Sequence, residues 1–276
     1  MSIRNILVAY NGLPSSDAAL QGAIAMQKQY DAHLTGLFAY GDSNLATRIQ
    51  PWMPQKVRDA LLETDDQSNQ MIRDKFRESC TEISEAKRHW IENKGPVHRT
   101  LAAYARLYDI TVLGMHEDAA YGQEHLEIHP ERVTLESGRP VISFPAGQSA
   151  GLGGQHVVIA WDGGRAAARA LADALQILDP SNTIEIVSVG RVPFAQTLPD
   201  FDVTQFFDRH GLSVKLTSLA RDARTIAETL LDHCETVRAG LMVMGAYQHS
   251  PLREGLIGGV TQDIAARAKI PIFMSH

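Results

Sequence analysis

The chain has 276 residues, 44% of them apolar and 21% charged, and a formal net charge of −6. Such a length exceeds the usual single domain and the apolar share is ample for a sizeable core, so one large or two medium globular domains are expected. The acidic balance, without any run of Lys or Arg, argues against nucleic acid as the main partner, which would need a basic face to displace counterions. Small anionic ligands stay open, because a local nest of backbone N–H groups holds phosphate whatever the global charge.

Along the chain, the first apolar run (Asn5 to Tyr10) meets a polar turn at Asn11-Gly12 and then an alanine-rich amphipathic stretch over 15–30. That run is too short for a signal segment, and no later stretch is long enough to cross a bilayer; no membrane association is expected. A second strand is expected over 33–40. Val57, Leu61, Ser68, Ile72, Phe76, Cys80 and Ile83 then recur at helical spacing and predict a long helix near 55–84, whose apolar stripe, with Met71 and Phe76, reads as core. Asp109 to Gly114 and Arg139-Pro140-Val141-Ile142 close this part of the chain. Cys80 and Cys234 lie far apart outside any CxxC pair, so a reducing, cytoplasmic setting is expected.

The same order then repeats. His156 to Gly163 resembles Asn5 to Gly12, Gly240 to Gly245 resembles Asp109 to Gly114, and Lys269 to Ile272 resembles Arg139 to Ile142. Gly114 to Pro140 and Gly245 to Pro271 both span 26 positions. Asn11 and Asp162 are 151 apart whereas Gly114 and Gly245 are 131 apart, so the first copy carries about 20 extra residues in its middle. A repeat this long is a duplicated domain. The small, Gly-rich stretch 146–154 separates a domain over 1–146 from one over 155–276.

In the second copy strands are predicted near 156–161, 183–189, 213–219, 240–244 and 270–274, with helices near 164–178, 200–210, 222–237 and 259–268. Alternation of near-continuous apolar strands with helices predicts an α/β fold: two tandem doubly wound five-stranded parallel-sheet domains with right-handed crossovers. The last strand of each copy (141–144 and 270–274) offers an edge for pairing between the domains. Pairing between chains would use the same kind of edge, which leaves a homodimer open.

In an open doubly wound sheet, ligands sit beyond the carboxyl ends of the strands where the strand order reverses. Those ends are Trp161-Asp162-Gly163, Val189-Gly190 and Met244-Gly245, the last followed by a Gly-rich stretch to Thr261. Glycines there let backbone approach a phosphate, and the start of the next helix supplies N–H donors; equally, glycines turn chains and cap elements.

Gly245, then Gly258-Gly259 and Val260, resembles the ATP signature of the universal stress protein family, Gly-x2-Gly-x9-Gly-Ser/Thr after the fourth strand. The resemblance covers almost the whole chain as two copies and is similar to the bacterial tandem subtype. It implies ATP, with or without magnesium, as ligand. Asp162 matches the acidic residue near the ribose and metal, and Val189 the residue whose backbone contacts adenine. Gly245, Gly258 and Gly259 match the ribose- and phosphate-binding loop, with Val260 and Thr261 just inside the helix. Gln248 stands where the family has its second glycine and Gly259 where it has Ser or Thr; Thr261 and Arg253 are candidate replacements for the lost contacts. In the first copy Asn11 replaces the acidic residue and Met115-His116-Glu117-Asp118 follows Gly114, so that half reads as a degenerate copy.

Other signals are weaker. His125 and His129 are spaced i, i+4, with His116, Glu127 and Glu131 nearby, yet no third zinc ligand is fixed by spacing. Asp232-His233-Cys234-Glu235 sits late in a helix where successive residues face apart, so no Cys/His nucleophile pair is expected. The expected function is a stress-response protein that binds an adenine nucleotide in its second domain and acts on an unknown protein partner. The alternative is an interaction protein with both sites decayed; catalysis amounts to slow ATP hydrolysis at most.

Overall fold

The computed structural model describes residues 3–41, 53–115, 128–147, 156–190, 201–246 and 259–276. The first half runs β1 (Asn5–Ala9), α1 (Pro14–Tyr30), β2 (His33–Tyr40), α2 (Gln55–Ser79), β3 (Arg88–Lys94), α3 (Val97–Ala105), β4 (Ile110–Gly114), α4 (Pro130–Ser137) and β5 (Val141–Phe144). The second runs β6 (His156–Ala160), α5 (Arg165–Ala174), β7 (Thr183–Val189), α6 (Val203–Arg209), β8 (Val214–Leu219), α7 (Ile226–Thr236), β9 (Leu241–Gly245), α8 (Gly259–Arg267) and β10 (Ile272–Ser275). The expected boundary stretch falls largely on residues 148–155, outside the described ones.

All ten strands form one sheet, ordered β3-β2-β1-β4-β5-β10-β9-β6-β7-β8. Each half is parallel throughout and has the same internal order, so each is the doubly wound unit expected from the alternating elements. The halves join where β5 and β10 pair antiparallel, with Phe273 opposite Ile142 and Ile272 opposite Ser143. With Pro140 equivalent to Pro271, as the matched spacing of 26 and the strand registers require, Phe273 and Ile142 are equivalent positions of the repeat, so an approximate two-fold axis passes between them. The terminal edges are therefore paired with each other inside the chain, and the outer strands of the sheet are β3 and β8.

Side chains alternate across each strand. Ile6, Val8 and Tyr10 face α1 and α2 in a core that continues through Ile142, Phe144 and Phe273 to Ala170 and Leu171 of α5 and Phe207 of α6. On the other face Leu7 and Ala9 pack with Leu101 of α3 and Val133 of α4, and Met242 and Met244 with Leu230 of α7 and Ile264 of α8. Helices thus cover both faces. Among the described residues no helix is long and apolar enough to cross a membrane.

The long helix ends at Ser79, five residues short of the predicted end, because Cys80 and Ile83 are buried in the turns that follow it. Among the described residues its apolar stripe is core toward that end: Phe76 and Cys80 are fully buried and Ile72 packs against them. Val57 is 45% exposed and Met71 65% exposed, which corrects their reading as core; the side chain of Leu61 lies outside the described residues. Met71 stands one position off the Ser68, Ile72, Phe76 stripe, about 100° round the helix, and so points away from the sheet.

Candidate functional site

Strand order reverses at β6, which has β7 on one side and β9 on the other. The carboxyl ends of these three neighbours carry Asp162, Val189 and Gly245, so the structure brings these three predicted residues to one edge. Asp162 is exposed and Val189 and Gly245 are half-buried. Gly259, exposed, opens α8, and Val260 and Thr261 follow inside it, Thr261 being buried. Gly258, Gln248 and Arg253 lie outside the described residues.

Each of these residues has a local task. Asp162 Oδ1 accepts a hydrogen bond of 2.7 Å from the Gly164 N–H, an Asx turn that leads into α5. The first half repeats it: Asn11 Oδ1 accepts from the Leu13 N–H at 3.1 Å ahead of α1. Both turns pass through a left-handed glycine, Gly12 (φ 79°) and Gly163 (φ 76°). Gly245 is required for packing, since a β-carbon there would lie 2.5 Å from the Ala166 carbonyl carbon and 2.6 Å from the Ala167 nitrogen. Gly114 meets the same constraint, 2.7 Å from the Ser15 carbonyl carbon. Gly114 and Gly245 therefore each serve the close approach of a helix start to a strand end in their own copy, whatever binds nearby.

The two mouths differ in what lies over them. In the first half α2 closes the turn: a β-carbon at Gly12 would lie 3.2 Å from Ile72, and Lys75 Nζ reaches Asp17 Oδ2 at 2.6 Å. The Tyr10 hydroxyl donates to Asp17 Oδ1 at 2.7 Å, and burial, with Asp17 alongside, pushes it well above the usual phenol range. Asn11 is 7% exposed. The gap left among Asn11, Ser15, Ser16, Gly114 and Met115 is about 10 Å³, at most a single water. In the second half α6, of seven residues, takes the place of α2, and Asp162 stays open to solvent.

Sequence reasoning missed a buried ionic cluster at the amino end of the second half. Glu185, on β7 and 1% exposed, accepts from His156 of β6 and His233 of α7, both 3.2 Å from Oε2. Lys215 of β8 reaches Oε1 at 3.0 Å, and the Thr217 hydroxyl donates to the same oxygen. Burial pushes this carboxyl up, but the hydrogen bonds from Thr217, Lys215 and His233 outweigh it and hold the pKa down at about 2. The available signal was a single acidic residue inside an apolar run, Ile184-Glu185-Ile186-Val187.

The weaker signals resolve as follows. His129 precedes α4 as its N-cap and is not helical, so the i, i+4 relation to His125 does not apply, and His125 itself lies outside the described residues. The His129 N–H donates to Nε2 of His98, whose pKa burial lowers to about 4. Among the described residues no group of three His, Cys, Asp or Glu is placed to hold a metal. Cys234 is buried, which pushes its thiol up to about 12, while the neighbouring His233 faces Glu185. The pair therefore offers no nucleophile.

Two equivalent doubly wound units in one sheet, each with its switch point at the first strand, define a tandem α/β protein of the Rossmann type. The family model of the universal stress protein family matches residues 2–143, and the chain belongs to that family. A universal stress protein from Archaeoglobus fulgidus DSM 4304 superposes with a TM-score of 0.68 at 16% identity, covering 98% of this chain and 96% of that one. A putative universal stress protein from Pseudomonas aeruginosa UCBPP-PA14 gives a TM-score of 0.59 at 15% identity, covering 99% and 93%. At that identity these likenesses speak for the fold alone. No curated protein matches the chain.

Proposed function

We propose that the second half binds ATP or a related adenine nucleotide, with or without magnesium, and that the chain acts in the cytoplasm as a regulatory or protective binding protein. One observation carries the reading: Asp162 stands exposed where the strand order reverses, between Val189 and Gly245, while the equivalent Asn11 is buried under α2. Membership of the family, shown on residues 2–143, supports an adenine nucleotide as the ligand, and the repeat carries that reading to the second half, with Gly258, Gly259, Val260 and Thr261 on the phosphate side. The helix start at Gly259 offers N–H donors, and the glycine itself is exposed. Magnesium would sit against the Asp162 carboxylate. No residue is assigned a catalytic role.

The test is to identify the small molecule that co-purifies with the native protein and to follow thermal stability with ATP, ADP and magnesium. The reading expects a bound adenine nucleotide and a saturable rise in Tm, both lost in Gly258→Val. An empty protein with no shift overturns it. A second reading has its own support: Asp162 and Gly245 each perform a structural task that Asn11 and Gly114 also perform without a nucleotide signature. On that reading both mouths are decayed and the chain is an interaction protein, for which ATP and magnesium leave the Tm unmoved.

A further inference from the structure

A cleft of about 440 Å³ lies at the outer end of the first half, between the last turns of α2 and the outer strand β3. Arg73 and Arg77, four apart, share one face of α2. Arg88, Trp90 and Glu92 alternate along β3 and so share the strand face turned toward that helix. The aromatic floor depends on Gly36 of β2: a β-carbon there would come within 2.6 Å of Phe76 and 2.7 Å of Trp90. The absence of that side chain lets the Trp90 ring settle beside Phe76 at 4.8 Å between centroids, half-exposed toward the cleft. At the equivalent register in the second half Ile186 faces Leu216, and the floor is missing.

The charges in the cleft are unevenly engaged. Arg73 makes a two-pronged bond to Glu92, Nε to Oε1 at 2.6 Å and Nη2 to Oε2 at 2.8 Å, and the Trp90 indole N–H adds a third at 2.6 Å. The Arg73 guanidinium holds the Glu92 carboxyl below its usual range. Both oxygens of Glu92 are therefore occupied. Arg88 gives one Nη1 hydrogen to the Cys80 carbonyl at 3.0 Å, which satisfies a carbonyl at the carboxyl end of α2, and it lines the same cleft as Arg77. Arg77 approaches Asp74 at 3.9 Å, adds to the positive field on Glu92 and is 58% exposed. Each guanidinium carries five N–H donors, so Arg77 and Arg88 together retain several. Glu85 stands exposed on the rim, leaving three guanidinium groups against two carboxylates.

We propose that this cleft binds a small organic anion: one carboxylate or phosphate group held by Arg77 and Arg88, with a flat apolar portion laid against Trp90. Its volume lies in the small-molecule range. Planar guanidinium forks match either oxyanion, and neither oxygen of Glu92 is available to compete. The site is separate from the nucleotide edge and stands whether or not that edge binds ATP.

The chain has three tryptophans, Trp52, Trp90 and Trp161, so its 15N-indole spectrum separates the two places. Trp90→Phe and Trp161→Phe assign the resonances. Titration uses benzoate, phenyl phosphate and inorganic phosphate. Benzoate or phenyl phosphate is expected to shift the Trp90 indole saturably and leave Trp161 in place; the tighter of the two identifies the oxyanion. Arg77→Gln is expected to raise the Kd at least tenfold with the Tm unchanged, and added salt to weaken binding further. The proposal is overturned by a shift confined to Trp161, by no saturable shift, or by inorganic phosphate binding as tightly as phenyl phosphate. An unchanged Kd in folded Arg77→Gln would do so too.

Discussion

Residues 10–17 and 161–168 are the same turn built twice, and they have opposite fates. Both carry an Asx turn, a left-handed glycine and a helix start packed against a strand-end glycine. In the first half the inserted helix α2 lays Ile72 over Gly12 and ties Lys75 to Asp17, so the mouth becomes core. In the second half the shorter α6 takes that place, and Asp162 stays exposed. The same turn backbone therefore serves a covered switch point and an exposed one, and α2 is what covers the first.

The largest expected effect tests that cover. Phe76 is fully buried and packs on both Tyr10 and Trp90. Phe76→Ala should cost about 4 kcal/mol in urea unfolding, the transfer loss plus an unfilled cavity. Hydrogen exchange at residues 10–16 should accelerate while residues 161–167 keep their protection. Equal acceleration in both turns would show that α2 does not close the first mouth.

Next comes the ionic cluster around Glu185 in the second half. Thr35 occupies the first-half position equivalent to Glu185, so no such charge lies at that register. The folded-state pKa of Glu185, about 2, lies below its ordinary value of 4.5, so its stabilisation is complete above about pH 4.5 and is lost as pH falls toward 2. For a carboxylate this buried the contribution is about 3 kcal/mol. Glu185→Gln should therefore be less stable than the parent chain at neutral pH, and the gap should narrow through that acid window. A gap that stays constant from pH 5 to pH 2.5 would remove the cluster from the account.

The glycine pair asks whether Gly245 is kept for packing or for a ligand. Gly114→Ala and Gly245→Ala each force a β-carbon onto backbone atoms that have no rotamer to yield. Each should cost about 2 kcal/mol, by the usual range for overpacking. Matching losses in the two halves identify a shared packing requirement. If Gly245→Ala folds at parental stability and loses nucleotide, the glycine belongs to the site.

Much of the fold was legible because strands buried on both faces read as unbroken apolar runs, and because spacings of 26 recur on both sides of the chain. The helix end at Ser79 was not, since Cys80 and Ile83 continue a helical rhythm while serving as buried turn residues. Glu185 escaped because its partners His156, His233 and Lys215 lie on three other elements, far apart in sequence. At the candidate site, residue types suggested Asp162 and Gly245 for a ligand. Only the folded chain shows that Asn11 and Gly114 do the same backbone work. Sequence motif and structural need coincide at those positions, and neither can be read from the other.

Asp162 separates the two readings with the smallest change in stability. Its turn needs a side-chain oxygen accepting from the Gly164 N–H, and asparagine supplies one, as Asn11 does in the first half. Asp162→Asn should therefore stay within about 0.5 kcal/mol of the parent chain, whereas Asp162→Ala loses the bond and about 1 kcal/mol. If the carboxylate is kept for metal and nucleotide, the asparagine variant should keep its Tm and lose most of its affinity for ATP with magnesium, measured by calorimetry. If it serves the turn alone, the asparagine variant will match the parent in both, and the open mouth of the second half is then a relic of the duplication.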